Sequence, residues 1–157
     1  MLGTTSDVDE LEGTVGGNQE YSSSVQAVVD WYGPTDFLQM DAQALPDSSF
    51  QHDASSSPES LRLGCAIQSC PDRVERASPI SYVSANSAPF LIVHGDQDRV
   101  VPPRQSQALA AALRAAGAAV TLHLVLGAGH GVGLPDDAAL VGGEGVLRPL
   151  TQVNLSQ

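Results

Sequence analysis

One aspartate and one histidine in this sequence stand where they could do acid–base chemistry together. His130 lies in the glycine-rich segment GAGHG, and Asp98 lies upstream in HGDQDRVVP. Glycine on both sides of His130 lets the backbone turn sharply and present the ring. A carboxylate that accepts one ring N–H fixes the tautomer, which leaves the other ring nitrogen free as a general base. The pair predicts two members of a nucleophile–histidine–acid triad.

Other residues near this pair have competing interpretations. Asp96 sits in the same turn as Asp98 and is the alternative acid, and either aspartate could be an ordinary turn residue. His94 precedes the turn glycine and is expected to be structural. His123 alternates along a strand and is expected to pack or to face solvent. His52 lies in an irregular acidic stretch and is expected to be exposed, although such a loop could border a substrate crevice.

The elements around the pair form a strand–helix–strand unit. The apolar run PFLIV at 89–93 predicts a short buried strand, and alternating apolar residues predict another at 120–126. Between them a helix is expected over 103–116, with Gly117 at its C-terminal cap. Such a unit is parallel and right-handed, so both following loops leave the same edge of the sheet. The predicted buried face of the helix consists of Leu109, Ala112, Leu113 and Ala116.

The preceding part of the chain predicts one more strand and a long irregular segment. VQAVVDW at 25–31 is apolar and rich in β-branched residues, as expected of a buried parallel strand. Turn-forming residues run through 34–88. Within that segment, helices are predicted at 58–63, which opens with proline after serine, and at 71–77.

Composition excludes several classes of protein. The 157 residues are expected to form one domain, and they carry 18 acidic and 7 basic residues for a net charge of −11. All seven basic residues are arginines, and the first, Arg62, follows eleven acidic residues. A nucleic-acid partner or an anionic membrane surface would need a basic footprint. No apolar run approaches the roughly 18 residues of a membrane span.

No metal or cofactor is expected from the sequence. Cys65 and Cys70 are too few to form a zinc site, and the acidic cluster 7–12 lacks the glycine and final glutamate of a calcium loop. The two cysteines could close a local disulfide or remain as buried free thiols. A disulfide would favour a secreted or periplasmic protein.

Three segments together resemble the C-terminal half of an α/β-hydrolase: VQAVVDWYGPTDF, SPISYVSANSAPFLIVHGDQDRVVPPRQSQALAAAL and VTLHLVLGAGHG. They are most similar to the acetyl-esterase and feruloyl-esterase-like group near the prolyl oligopeptidase and dienelactone hydrolase families. The similarity spans about residues 2–131. It implies an α/β fold with a three-stranded, mainly parallel portion of the sheet and crossover helices. It also implies that Asp98 is the triad acid and His130 the triad base.

Two departures from that family pattern affect the expected organisation. No G-x-S-x-G nucleophile elbow occurs in the sequence. The segment 2–5 resembles the end of the helix that follows this elbow, so the serine and the oxyanion loop are expected upstream of Met1. Residues 1–131 are thus interpreted as the C-terminal half of a hydrolase domain, with 36–88 as an irregular, lid-like insertion. Residues 132–157 contain four glycines and two prolines and are interpreted as a divergent tail.

The resemblance implies a serine esterase that hydrolyses small-molecule carboxylic esters through an acyl-enzyme. Trp31, Tyr32 and Pro34 end a strand at the same rim, where they could line an acyl pocket or belong to the core. The alternatives are a non-catalytic fragment or interaction module that pairs with an N-terminal half, and a peptidase of the same lineage. Without its nucleophile the isolated chain is expected to be inactive. Its uncovered sheet edge favours self-association or complementation by an N-terminal half.

Overall fold

Three parallel strands form the central sheet. The computed structural model describes residues 1–131, and in it β1 (Val28–Trp31), β2 (Phe90–Gly95) and β3 (Val120–Val125) pair in the order β1-β2-β3. The predicted fold class, a three-stranded parallel portion of an α/β sheet, is confirmed. β1 begins three residues later than its apolar run, and β2 continues two residues beyond PFLIV.

The central strand β2 carries most of the core. Phe90 lies opposite Val28 of β1 and opposite Val120 of β3, and all six residues of β2 are buried. Burial of every residue is typical of a parallel strand that is covered on both faces. The run of apolar side chains in this strand is therefore explained by its position between two neighbours.

The crossover helix α4 (Pro103–Ala115) covers one face of the sheet. Leu109 and Leu113 are buried as predicted, but Ala110 completes the apolar face instead of Ala112. The same face also buries two polar residues, Gln105 and Ser106. Their burial is tolerated because each has hydrogen-bond partners inside the fold. Partly buried side chains from both outer strands pack against the cluster of Phe90, Ile92, Leu109, Ala110 and Leu113.

The irregular segment 36–88 folds as short helices rather than as an open loop. It contains α1 (Met40–Gln43), α2 (Pro58–Leu63) and α3 (Pro71–Ala77), the last two with the predicted bounds. Its buried apolar side chains include Met40, Ile67 and Val74. Short 3₁₀ helices complete the described chain at Leu2–Thr4, Asp9–Leu11, Phe37–Gln39, Ile67–Ser69 and Pro79–Tyr82.

Helix α2 shows why a six-residue helix forms at this place. The Ser57 side chain accepts the N–H of Ser60, and Pro58 occupies the first helical position, where no N–H is needed. Gly64 ends the helix at φ +71°, a left-handed conformation that glycine adopts without strain. The next residue, Cys65, forms a disulfide with Cys70, with a Cα–Cα distance of 6.4 Å. Of the two states left open by the sequence, the structure has the disulfide.

The far edge of β1 has no partner strand within residues 1–131, and Val29 on this strand is 60% exposed. None of the helices in this part of the chain combines the length and the apolar character needed to cross a bilayer. The segment interpreted as a divergent tail, 132–157, lies outside the described residues.

Candidate active site

The carboxyl ends of β2 and β3 bring Asp98 and His130 together. Gly95, the last residue of β2, lies opposite Val125, the last residue of β3, so both following loops start at one edge of the sheet. Oδ2 of Asp98 lies 2.8 Å from Nδ1 of His130. This is the length of a charge-assisted hydrogen bond. Of the two candidate acids, Asp98 is the one that contacts the imidazole.

Asp98 is a fully buried carboxylate whose two oxygens both have hydrogen-bond partners. Oδ1 accepts the backbone N–H groups of Val100 and Val101, at 2.8 and 2.9 Å. Oδ2 faces His130 and also lies 3.2 Å from Nε2 of His94. Burial alone would raise the pKa of Asp98, but the hydrogen bonds from His94, His130, Val101 and Val100 outweigh it and hold the pKa below its ordinary value. The site therefore favours the ionised form of the acid.

His94 supports the acid turn from inside the core. Its ring is fully buried, with Nε2 2.9 Å from the carbonyl oxygen of Val101 and Nδ1 2.6 Å from Oγ of Ser106. Because a carbonyl can only accept, Nε2 carries the hydrogen, and the Ser106 hydroxyl donates to Nδ1. These contacts fit the structural role that the sequence predicts for His94. They tie the turn after β2 to helix α4.

Asp96, the alternative acid, holds the histidine loop by its backbone. Its Oδ1 accepts the N–H of Gly127 at 2.7 Å, and its own N–H donates to Val125 at 3.1 Å. The loop passes so close to β2 that a Cβ at Gly95 would overlap the carbonyl of Ala128. Asp96 and the absence of a side chain at Gly95 thus set the path of the loop that carries His130.

Tyr32 packs against the imidazole of His130. The two ring centroids are 4.5 Å apart with the planes at 59°, and Trp31 lies edge-on to Tyr32 at 6.5 Å. Tyr32 has φ +48°, which is a strained conformation for a bulky side chain. Such strain persists when the surroundings fix it, and here the residue follows β1 directly, with its N–H bonded to Val93 at 2.9 Å. Tyr32 therefore lies at the candidate site, beside His130. The sequence alone does not decide between a pocket position and a core position for it.

The chain that follows Tyr32 is held in place by the buried side chain of Gln105. Oε1 of Gln105 accepts the N–H groups of Thr35 and Asp36, both at 2.8 Å. Its Nε2 donates to the Asp36 carbonyl at 3.0 Å and to Gln43 at 2.8 Å. Every hydrogen bond of this side-chain amide is therefore to a residue in the stretch that follows Tyr32. The loop after β1 is therefore fixed to helix α4.

One expectation about the surrounding histidines is wrong. His52 is not exposed but only 3% accessible, because its ring bonds Glu59 and the backbone of Val100. His123 lies in β3 and is half-buried, in agreement with a packing position. Burial of Gln105 and Ser106 could have been predicted from the sequence, because they lie one turn before Leu109 on the apolar face of α4. No sequence pattern predicts the burial of His52.

The described part of the chain has no cluster of side chains arranged to bind a metal ion. Within residues 1–131 no group of three His, Cys, Asp or Glu side chains is placed to hold a metal ion. The chemistry that the residues here can perform is proton transfer through a histidine whose tautomer is set by a buried carboxylate.

Comparison with known proteins identifies the family. The BD-FAE family model matches residues 1–113, which include Asp98 and end before His130. Esterase LipC of Mycobacterium tuberculosis is 35% identical over 74% of this chain and 28% of LipC. Esterase LipQ of the same organism is 47% identical over 38% of this chain and 14% of LipQ.

Solved structures agree with the sequence comparison. A truncated form of a carbohydrate esterase from gut microbiota is similar with a TM-score of 0.68 and 38% identity, over 77% of this chain and 41% of that one. A thermophilic esterase from Thermogutta terrifontis, at 23% identity and a TM-score of 0.58, shares the fold. The chain spans less than a third of either curated relative, 28% of LipC and 14% of LipQ. It belongs to the BD-FAE family, and its relatives are carboxylic ester hydrolases with the α/β-hydrolase fold.

Proposed function

We propose that Asp98 and His130 are the acid and the base of a serine esterase that hydrolyses small-molecule carboxylic esters. The observation that carries this proposal is the 2.8 Å contact between the buried Asp98 carboxylate and Nδ1 of His130. The family membership and the esterase relatives support the ester as substrate class. No cofactor is needed for this reaction.

In the proposed mechanism Asp98 accepts the Nδ1–H of His130, so Nε2 is left unprotonated. A serine Oγ attacks the ester carbonyl carbon as its proton passes to Nε2, and the ionised Asp98 stabilises the resulting imidazolium. Collapse of the tetrahedral intermediate breaks the bond to the leaving alkoxide, which takes the proton from Nε2. Water then repeats the sequence on the acyl-enzyme. Backbone N–H groups would stabilise the oxyanion.

The serine belongs to a segment outside these 157 residues in this proposal. No G-x-S-x-G occurs in the sequence, and Cys65, which could replace a serine chemically, is bonded to Cys70. Residues 1–131 are accordingly the C-terminal half of a hydrolase domain, and the segment 36–88 is an insertion that borders its site. Loss of the serine in such a triad costs on the order of 10⁶ in turnover, so the chain alone is expected to be inactive.

The test compares this chain with the product of the longest reading frame that contains it. The chain alone is expected to release no nitrophenol from a short-chain nitrophenyl ester above the buffer rate. The longer product is expected to show saturable hydrolysis that falls about 10⁴-fold or more in His130→Ala and about 10⁴-fold in Asp98→Asn. Hydrolysis by the longer product that neither substitution affects would overturn the proposal.

A second candidate function is a module that associates through its open sheet edge. The edge of β1 is unpaired within residues 1–131, and an apolar groove beside it is lined by residues that include Leu2, Val28 and Phe90. Unpaired edges and apolar grooves favour pairing with another chain. Size-exclusion chromatography of the isolated chain is expected to show self-association, and a compact monomer with cooperative melting would contradict this candidate.

A further inference from the structure

A loop of the irregular segment grips the turn that carries the acid. We call residues Asp47–His52 the clamp loop. Its Ser48 hydroxyl donates to the carbonyl oxygen of Arg99 at 2.7 Å, and Nε2 of its His52 lies 2.9 Å from the carbonyl oxygen of Val100. Asp47 also pairs with the guanidinium of Arg99, at 2.8 Å from Nε. Because that ion pair is exposed, it contributes little.

The two clamped carbonyls belong to the peptide groups that hold the acid. The Arg99 carbonyl and the Val100 N–H are part of one planar peptide unit, and the Val100 carbonyl and the Val101 N–H are part of the next. Both N–H groups donate to Oδ1 of Asp98. In each trans peptide unit the C=O and the N–H point in opposite directions. The clamp loop therefore binds the C=O of each unit, and Asp98 binds the N–H. A hydrogen bond to the carbonyl also polarises the N–H of the same unit, which strengthens its bond to the carboxylate.

His52 is built into this arrangement rather than lying against it by chance. Its ring is 3% accessible, and both ring nitrogens face oxygens. Nε2 must carry a hydrogen because the Val100 carbonyl can only accept. Nδ1 lies 3.1 Å from Oε1 of Glu59, so a proton is held between them. Within residues 1–131, His52 is the hydrogen-bond partner of the Glu59 carboxylate, whose other oxygen, Oε2, is buried without one.

We propose that Ser48 and His52 are positioning residues that aim the Asp98 carboxylate at His130 through the peptide planes 99–100 and 100–101. This inference rests on the proposed role of Asp98 and His130. It assigns to the segment 36–88 a part in the acid–base pair itself, in addition to any effect on substrate access. Neither positioning residue touches the reacting atoms.

The test uses two substitutions of His52 that each keep one of its contacts. The amide nitrogen of glutamine reaches about as far as Nε2, so His52→Gln retains a donor to Val100 and loses the contact with Glu59. The amide nitrogen of asparagine reaches about as far as Nδ1, so His52→Asn does the reverse. Amide hydrogen exchange is measured by NMR on the full 157-residue chain, with Ile92 in the core as the internal reference. The low-field resonance of the His130 Nδ1–H is recorded on the same samples.

We expect His52→Asn to speed exchange at Val101 about tenfold relative to Ile92, and to weaken the Nδ1–H resonance of His130. His52→Gln is expected to restore both. Ser48→Ala, which removes only a hydroxyl, is expected to speed exchange at Val100 more than at Val101. Equal behaviour of the glutamine and asparagine variants would overturn the proposal, as would unchanged exchange at Val100 in Ser48→Ala. Because no ester is involved, these readouts stand apart from a failure of the proposed esterase activity.

Discussion

The turn that carries Asp98 and the loop that carries His130 are two halves of one contact, yet they are built differently. Asp98 is fully buried and its carboxylate has four nitrogen partners, whereas the side chain of His130 is 35% exposed. Within residues 1–131, Asp98 is the hydrogen-bond partner of the His130 ring, and Tyr32 packs against its face. Asp98 is therefore part of the folded core, whereas His130 lies at its surface with one side of its ring exposed to solvent.

This difference fits the roles proposed for the pair, with Asp98 as the acid and His130 as the base. A base that must exchange protons with a substrate and a nucleophile needs one accessible nitrogen. The acid needs only a fixed position and a stable charge, which burial among donors supplies. Substitutions at the two sites should therefore separate effects on folding from effects on chemistry.

The largest expected effect is on stability, and it distinguishes the two residues. Asp98→Ala removes the acceptor of two backbone N–H groups and one histidine inside the fold, so the unfolding free energy should fall by about 3–5 kcal/mol. His130→Ala should cost less, about 1–2 kcal/mol, since its ring is partly exposed and Asp98 keeps its other three donors. Urea unfolding followed by circular dichroism measures both. Equal losses would contradict the division between core acid and presented base.

A somewhat smaller effect is expected at the anchor of the Tyr32 loop. Gln105→Leu leaves the N–H groups of Thr35 and Asp36 buried without acceptors, so the unfolding free energy should fall by about 2–4 kcal/mol. Gln107→Leu is the matched control, because Gln107 is an exposed glutamine on the same helix. Thermal unfolding that shows equal losses in the two leucine variants would refute this account of Gln105.

The ring of Tyr32 should make a still smaller contribution. Tyr32→Leu and Tyr32→Phe carry a similar backbone strain at φ +48°, so their difference isolates the aromatic ring. An aromatic pair contributes about 0.5–1.5 kcal/mol beyond buried area, and the leucine variant should be less stable than the phenylalanine variant by that amount. The rate at which diethyl pyrocarbonate modifies His130 should also rise in the leucine variant alone. Identical modification rates in the two variants would show that the ring does not hold His130.

The pH dependence of stability contrasts Asp98 with Asp30, a half-buried carboxylate near the end of β1. Burial raises the pKa of Asp30, although the hydrogen bond from the Gly33 N–H opposes it, whereas the pKa of Asp98 is lowered. Asp98 therefore stabilises the fold above the unfolded pKa, near 3.8, and this stability is lost as the pH falls through the lower folded pKa. For Asp30 the sign is reversed, and stability is lost as the pH rises from the unfolded to the folded pKa.

Two asparagine variants test these opposite signs. Asp30→Asn should raise the melting temperature at pH 7 and leave it nearly unchanged at pH 3. Asp98→Asn should lower the melting temperature at pH 7 and flatten its decline in acid. Melting curves between pH 3 and pH 7 measure both, and slopes that change in the same direction would show that one assignment is wrong.

Much of this site could be predicted because its topology is local. Asp98 and His130 follow two strands joined by one helix, and the periodicity of that helix and the strands is plain in the sequence. The start of α2 could likewise be predicted, from Ser57 and Pro58. The contact of His52 with Val100 joins residues 48 apart through an irregular segment without periodicity. Such a contact depends on tertiary packing alone, as does the left-handed backbone of Tyr32.

The most direct test of the central claim is the NMR signal of the hydrogen on Nδ1 of His130, recorded at low temperature in the full chain. A low-field resonance is expected in the native chain and in Asp96→Asn. It should disappear in Asp98→Asn: the asparagine oxygen stays with the N–H groups of Val100 and Val101, so its amide turns toward Nδ1 and forces the other tautomer. A resonance that survives in Asp98→Asn, or that vanishes in Asp96→Asn, would contradict the assignment of Asp98 as the partner of His130.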